Sequence, residues 1–153
     1  MHSLALPPDS VLRPLLQPPC NVIVVGLSPQ ADRPSHEVAE YLQRHGLRVI
    51  PVNPVVAAEG GQILGERVYA SVTEAAASLT AQGLAIDIVD CFRKSEAIPP
   101  IAQEAIAVGA RCLWLQQGVV NTEAAALASA AGVLVVQDAC IKIEHRRLLV
   151  SPP

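Results

Sequence analysis

Residues 21–46 read NVIVVGLSPQADRPSHEVAEYLQRHG. An unbroken apolar run stops at Gly26, a polar loop follows, and the pattern then changes period. From residue 35 to 45 the apolar positions Val38, Ala39, Tyr41 and Leu42 fall on one helical face. Glu37, Glu40, Gln43 and Arg44 fall on the other. Gly46 suits a left-handed helix end, and two residues later 48–52 begins another strand. A strand that is apolar at every position is covered on both faces, as in a parallel sheet.

The same punctuation recurs downstream. Residues 101–108 read as a helix, Gly109 ends it, and 112–116 read as a strand. Residues 122–131 read as a helix, Gly132 ends it, and 133–137 read as a strand. Ser71 and Glu74 form a capping box that opens a helix reaching about Leu79. Residues 86–91 make the remaining strand, and Pro99–Pro100 suit the first turn of the next helix. Residues 141–148 read as a short closing helix. Five apolar strands separated by helices predict an α/β fold with a three-layer, doubly wound, mostly parallel five-stranded sheet. Ligands of such sheets bind beyond the carboxyl ends of the strands. The loops that begin at Gly26, Asn53, Phe92 and Gln117 therefore define the expected site.

The chain has 153 residues, enough for one domain with a substantial core. Hydrophobic residues make up 51% and aromatic residues 3%, so Ala, Val, Leu and Ile must build that core. Residues 1–20 carry Pro7, Pro8, Pro14, Pro18 and Pro19. They are expected to form an arm, lying on the domain or partly disordered, with about one helical turn near 10–16. Residues 21–153 form the domain proper. The net charge of −3 argues against general affinity for nucleic acid or anionic membranes. Cys20, Cys91, Cys112 and Cys140 form no C-x-x-C pair, so no metal site is expected. The first twenty residues lack a basic segment followed by an apolar one, and no run suffices to cross a bilayer. A soluble, cytoplasmic chain with reduced thiols is expected.

The loop 26–34 delivers the chain to a helix N-terminus, with Ser35 the expected cap. Free amide N–H groups there attract a phosphate by about 0.3–1 kcal/mol. Gly26 lets the backbone approach a ligand, and Arg33 adds a forked cationic donor. A plain strand–turn–helix joint is the alternative. The G-x-G-x-x-G spacing of dinucleotide sites is missing, because Leu27–Ser28–Pro29 follows Gly26. Asn53 stands where an acid would grip a ribose diol, unless it only forms a turn before Pro54.

Six segments in order carry a resemblance: NVIVVGLSPQADRPSHEVAEYL, RVIPVNP, ILGERVYASVTEA, DIVDCFRKSEAIPPIAQEAI, WLQQGVVN and CIKIEHRRL. Over residues 21–149 the chain resembles the small stand-alone CoA-binding proteins. These are Rossmann-like domains similar to the CoA-binding domain of the succinyl-CoA synthetase α subunit. The resemblance implies that Gly26, Leu27 and Ser28, with Arg33, Pro34 and Ser35, face the phosphates of coenzyme A. It implies that Asn53 and Pro54 border the adenosine part, that Phe92 and Arg93 line the cleft, and that Gln116 and Gly118 lie near the pantetheine arm. The chain departs from the family at Ala139, where an arginine often precedes the cysteine that here is Cys140. The synthetase's phosphorylated histidine belongs to a second domain, so that activity does not carry over.

No G-x-S-x-G, H-E-x-x-H or P-loop pattern is present. Asp87 and Asp90, three apart on one strand, point to opposite faces and do not form an acid–base pair. His36 either touches phosphate or faces solvent, His45 precedes a helix end, and His145 lies on a solvated face or an intersubunit contact. Cys140 is either a half-buried structural thiol or a partner for the CoA thiol in a mixed disulfide. The reading is a module that binds CoA or an acyl-CoA without catalysis. Its rivals are an NAD(P)-binding oxidoreductase or redox sensor, and a ligand-free scaffold. The alanine-rich face over 124–131 would suit a second copy of the chain in a homo-oligomer.

Overall fold

A computed structural model describes residues 5–150. Five parallel strands form the central sheet: β1 (Asn21–Val25), β2 (Arg48–Val52), β5 (Ile88–Cys91), β6 (Cys112–Leu115) and β7 (Leu134–Val136). Their order across the sheet is β2-β1-β5-β6-β7. A small antiparallel hairpin, β3 (Gln62–Ile63) and β4 (Glu66–Arg67), packs beside β2 without joining the hydrogen bonding of the sheet. Leu64 and Gly65 both take left-handed φ, 53° and 78°, as a two-residue hairpin turn demands. Tyr69 then pairs with Val52 through a single parallel bridge, beyond β2. Counting this one-residue strand, the chain runs outward through three strands and crosses back to β5. The sheet is thus the six-position doubly wound order with its third strand cut to one residue.

Helices cover both faces. α2 (Pro34–Arg44), α7 (Ile141–His145) and α1 (Asp9–Leu16) lie on one side, where Leu12, Leu16, Val24, Leu42, Trp114 and Ile141 pack together. α4 (Val72–Ala81), α5 (Ile98–Ala107) and α6 (Thr122–Ala130) lie on the other, where Ile23, Val25, Leu79, Ile98 and Leu113 pack together. The division follows the alternation along β1: Val22 and Val24 enter the first cluster, Ile23 and Val25 the second. The last helix opens into a wider π-type turn over Arg146–Val150. A short helix, α3 (Pro54–Ala58), follows β2.

The proline-rich arm is fastened to the domain. α1 runs two turns rather than the expected one, and Leu12, Leu15 and Leu16 are buried. Arg147 donates two hydrogen bonds to the Asp9 carboxylate, at 3.0 and 2.9 Å, and others to Glu144. Arg147 also holds the Asp9 carboxyl below its usual pKa. Residues 1–4 of the arm lie outside the described residues. Among the described residues, no helix is long and apolar enough to cross a membrane.

Candidate ligand site

The sheet order reverses between β1 and β5, and the loops after these strands meet there. Gly26 ends β1 with φ +82° and donates to Val52 O at 3.0 Å. An added Cβ at Gly26 would stand 2.5 Å from Phe92 O and 3.0 Å from Arg93 Cδ. Only glycine lets the two loops approach so closely. Their contact forms the floor of a cleft of about 370 Å³, walled by Ser28, Arg33, Pro34, Ser35, Phe92, Arg93, Gln116, Gln117 and Val119. A second hollow of about 200 Å³ adjoins it, reached past Arg93 and bordered by Pro54, Ser71, Ile101 and Glu104.

The loop leading to α2 holds itself in shape. Ser28 N–H donates to Ser35 Oγ at 3.0 Å, and Gln30 N–H donates to Ser28 Oγ at 3.1 Å. His36 Nδ1 lies 3.0 Å from Ser28 O, so His36 braces the loop. Ser35 is not the helix cap. Pro34, whose φ is preset for a helix, takes the first helical position, which makes Arg33 the cap residue. The hydroxyl of Ser35 therefore turns back to the loop. The first-turn amides of Ser35 and His36 have no protein acceptor among the described residues.

The electrostatics at the mouth are one-sided. Arg33 and Arg93 are exposed on its rim. Arg33 Nε donates to Gln30 Oε1 at 3.1 Å, which aims the guanidinium without neutralising it. Neither arginine pairs with a carboxylate among the described residues. Among them, too, no histidine, cysteine, aspartate or glutamate lines this cleft, and no cluster of such residues could hold a metal ion.

Several expected site residues take other places. The side chain of Leu27 is fully buried in the core, so only its backbone is available. Asn53 is committed twice: its Oδ1 accepts from Val55 and Val56 N–H as the cap of α3, and its Nδ2 donates to Leu27 O at 3.0 Å. Gly118 is exposed and donates to Asp138 Oδ1, while its neighbours Gln117 and Val119 line the wall. Cys140 is half-buried and does not line the cleft. His145 is 3% exposed and bonded to Tyr41 Oη at 2.9 Å, so it is not on a solvated face. Burial and the nearby His45 hold its pKa below the usual histidine value.

Beneath the cleft lies a residue that sequence reasoning weighed and set aside. Asp90 is fully buried on β5, and its Oδ1 accepts from Gln116 Nε2 at 2.7 Å. Its Oδ2 has no partner among the described residues. Burial pushes this carboxyl up to about 7, against the lowering effect of the Gln116 bond. An acid inside an apolar strand was the signal.

Residues 21–146 match the family described as the CoA binding domain. The chain belongs to that family. The match begins at the first residue of β1. An uncharacterized protein, YneT of Bacillus subtilis (strain 168), is 37% identical over 139 residues, spanning 91% of this chain and 95% of its own. A Thermus thermophilus structure, cell-free ID.343, is 33% identical with a TM-score of 0.81, over 93% of this chain and 99% of that one. RSP, a Rex-family repressor whose structure is known with β-NADH, has a TM-score of 0.51 at 15% identity, covering 83% of this chain and 59% of its own. That likeness is one of fold alone.

Proposed function

We propose that this protein binds coenzyme A, or an acyl-CoA, in the cleft between β1 and β5, and performs no chemistry there. The observation that carries the proposal is the mouth itself. Two guanidinium groups with no carboxylate partner among the described residues flank the open amides of a helix N-terminus, above the close approach of Gly26 to Phe92. Helix N-termini and forked donors suit a pyrophosphate. Phe92, Val119 and the two glutamines offer the mixed apolar and amide walls that a pantetheine arm requires. The adjoining hollow gives the adenosine end a place past Arg93.

Mass spectrometry of ligand retained by protein purified without added cofactor should find CoA or an acyl-CoA. Recovery of NAD(P) alone would reject the proposal. CoA at 100 times its dissociation constant should stabilise the fold by about 2.7 kcal/mol, read as a rise in melting temperature. Arg33→Ala should weaken CoA binding by roughly 1.5–3 kcal/mol in a calorimetric titration, the range for charged hydrogen bonds. Unchanged affinity would remove Arg33 from the site.

A further inference from the structure

Asp90 and Gln116 sit on the same face of adjacent strands. Asp90 pairs in register with Val24 on β1 and with Trp114 on β6, and Gln116 lies two residues beyond Trp114. Gln116 thus roofs the acid and floors the cleft. Its amide has two different ends. The Nε2 end is turned down to Asp90, and Oε1 accepts no hydrogen bond among the described residues. Trp114 cannot relieve the acid, because its Nε1 donates to Ala139 O at 2.9 Å.

Among the described residues, no other charge competes for Asp90. Over this face α2 turns Ser35, Val38, Ala39 and Leu42 inward. α7 turns in Ile141, while its buried Glu144 and His145 are held by Arg147 and Tyr41. β6 brings the Cys112 thiol to this face, while Cys91, next to Asp90 on β5, turns its thiol to the other; both are pushed up by burial and by Asp90 itself, and so neutral.

We propose that Asp90 is a positioning residue: it holds the Gln116 amide with its NH2 down and its carbonyl up, so that the cleft selects a ligand arm offering a hydrogen-bond donor. An ionised carboxylate only accepts, so the glutamine must give it an N–H. The remaining carbonyl then faces the ligand, and an amide N–H of a pantetheine-like arm answers it. When Asp90 takes a proton from solvent, the carboxyl can donate instead. The amide turns over, and the cleft presents NH2 where it had presented a carbonyl. The inference rests on the CoA reading of the cleft.

Dephospho-CoA is the suitable probe, because it lacks the phosphomonoester that titrates near pH 6. Calorimetric titrations between pH 5.5 and 8 should show affinity about tenfold weaker at the acid end, equivalent to about 1.4 kcal/mol. The step should centre near pH 7, where the buried acid titrates. Asp90→Asn and Gln116→Met should both bind with no such step. Any other pH-dependent contribution is common to all three proteins and cancels in the comparison. A step of the same size in Asp90→Asn, or none in the unaltered protein, overturns the inference. Should Asp90→Asn fail to fold, the Gln116 side-chain NH2 resonances of the ligand-free protein decide it. They should move with a midpoint near pH 7, and pH-invariant resonances overturn the pairing. Unaltered protein that binds no dephospho-CoA at any pH overturns the CoA reading, and ligand selection with it.

Discussion

Asp87 and Asp90 stand three residues apart and are treated in opposite ways. Asp87, at the amino end of the sheet, is saturated: its Oδ2 accepts from Asn21 N–H at 2.8 Å and its Oδ1 from Arg111 at 3.2 Å. It closes the start of β1 against the start of β5. Asp90, near the carboxyl end, is deeper yet keeps one oxygen without a partner among the described residues. A buried acceptor left unmet costs more than a hydrogen bond returns, so a fold built only for stability would not retain it. The amino end is joined for strength, and the carboxyl end keeps unspent hydrogen-bonding capacity beside the cleft. Two glycines make the same contrast, although Gly118, also at the carboxyl end, is open. Gly109, before β6, has open space around it, whereas Gly26, after β1, is pressed against Phe92 O.

The largest expected effect comes from Asp90. Its carboxyl is raised from 3.8 to about 7, so the folded state holds a proton that the unfolded chain releases between those values. Stability from this group is therefore full below pH 4 and is lost as pH rises towards 7. The ceiling for a shift of this size is about 4 kcal/mol. Urea unfolding at pH 4.5 and pH 8 should show Asp90→Asn gaining on the unaltered protein as pH rises. Parallel profiles would mean that Asp90 is as well served as Asp87.

Gly26→Ala comes next. It combines a left-handed φ with a clash against backbone that cannot swing aside, and should cost about 3 kcal/mol or more. Gly109→Ala meets only the left-handed φ and should cost about 1 kcal/mol. Equal midpoint shifts in urea would erase the difference between the two ends. Asp87→Ala should cost about 2 kcal/mol at neutral pH, mainly from the stranded Asn21 N–H. Arg111 is 61% exposed and keeps its water, so Arg111→Ala should cost no more than about 1 kcal/mol. If the arginine variant proved the weaker of the two, the ion pair rather than the amide bond would close that end.

Much of this was legible in the sequence. Apolar runs, three of them preceded by a helix that ends in glycine, placed all five strands of the main sheet within about two residues, because burial on both faces leaves a pattern that polar positions cannot imitate. The loops after β1, β2, β5 and β6 were expected to form the site, and residues of the loops after β1, β5 and β6 line the cleft. What escaped was structure made by few residues or by distant contacts. The hairpin of β3 and β4 hides because Leu64 takes a left-handed turn position usually filled by Asn, Asp or Gly. The second turn of α1 and its docking escaped because its hold depends on Arg147, far along the chain. Ser35 misled because a serine before a helix reads as its cap, while Pro34 fixes the start one residue earlier. Asp90 was visible as an acid in an apolar strand, but its partner is 26 residues away and no local pattern joins them.

Asn53 provides the finest comparison, because it stands at the carboxyl end yet is satisfied like Asp87. Its carbonyl caps α3 and its NH2 ties Leu27 O, so the side chain has no acceptor left for a ribose diol. Asn53→Ala should lose the cap and cost about 1 kcal/mol, in the range of other N-cap deletions. Asn53→Asp should keep the cap and lose only the tie to Leu27, costing less. Neither change should alter CoA affinity more than about threefold, since the phosphate loop is also held by the Ser28–Ser35 bond. A tenfold loss of CoA affinity in Asn53→Asp, at unchanged stability, would place this side chain against the ligand. The satisfied polar group would then belong to the binding end after all, and hydrogen-bond saturation would no longer separate the two ends of the sheet.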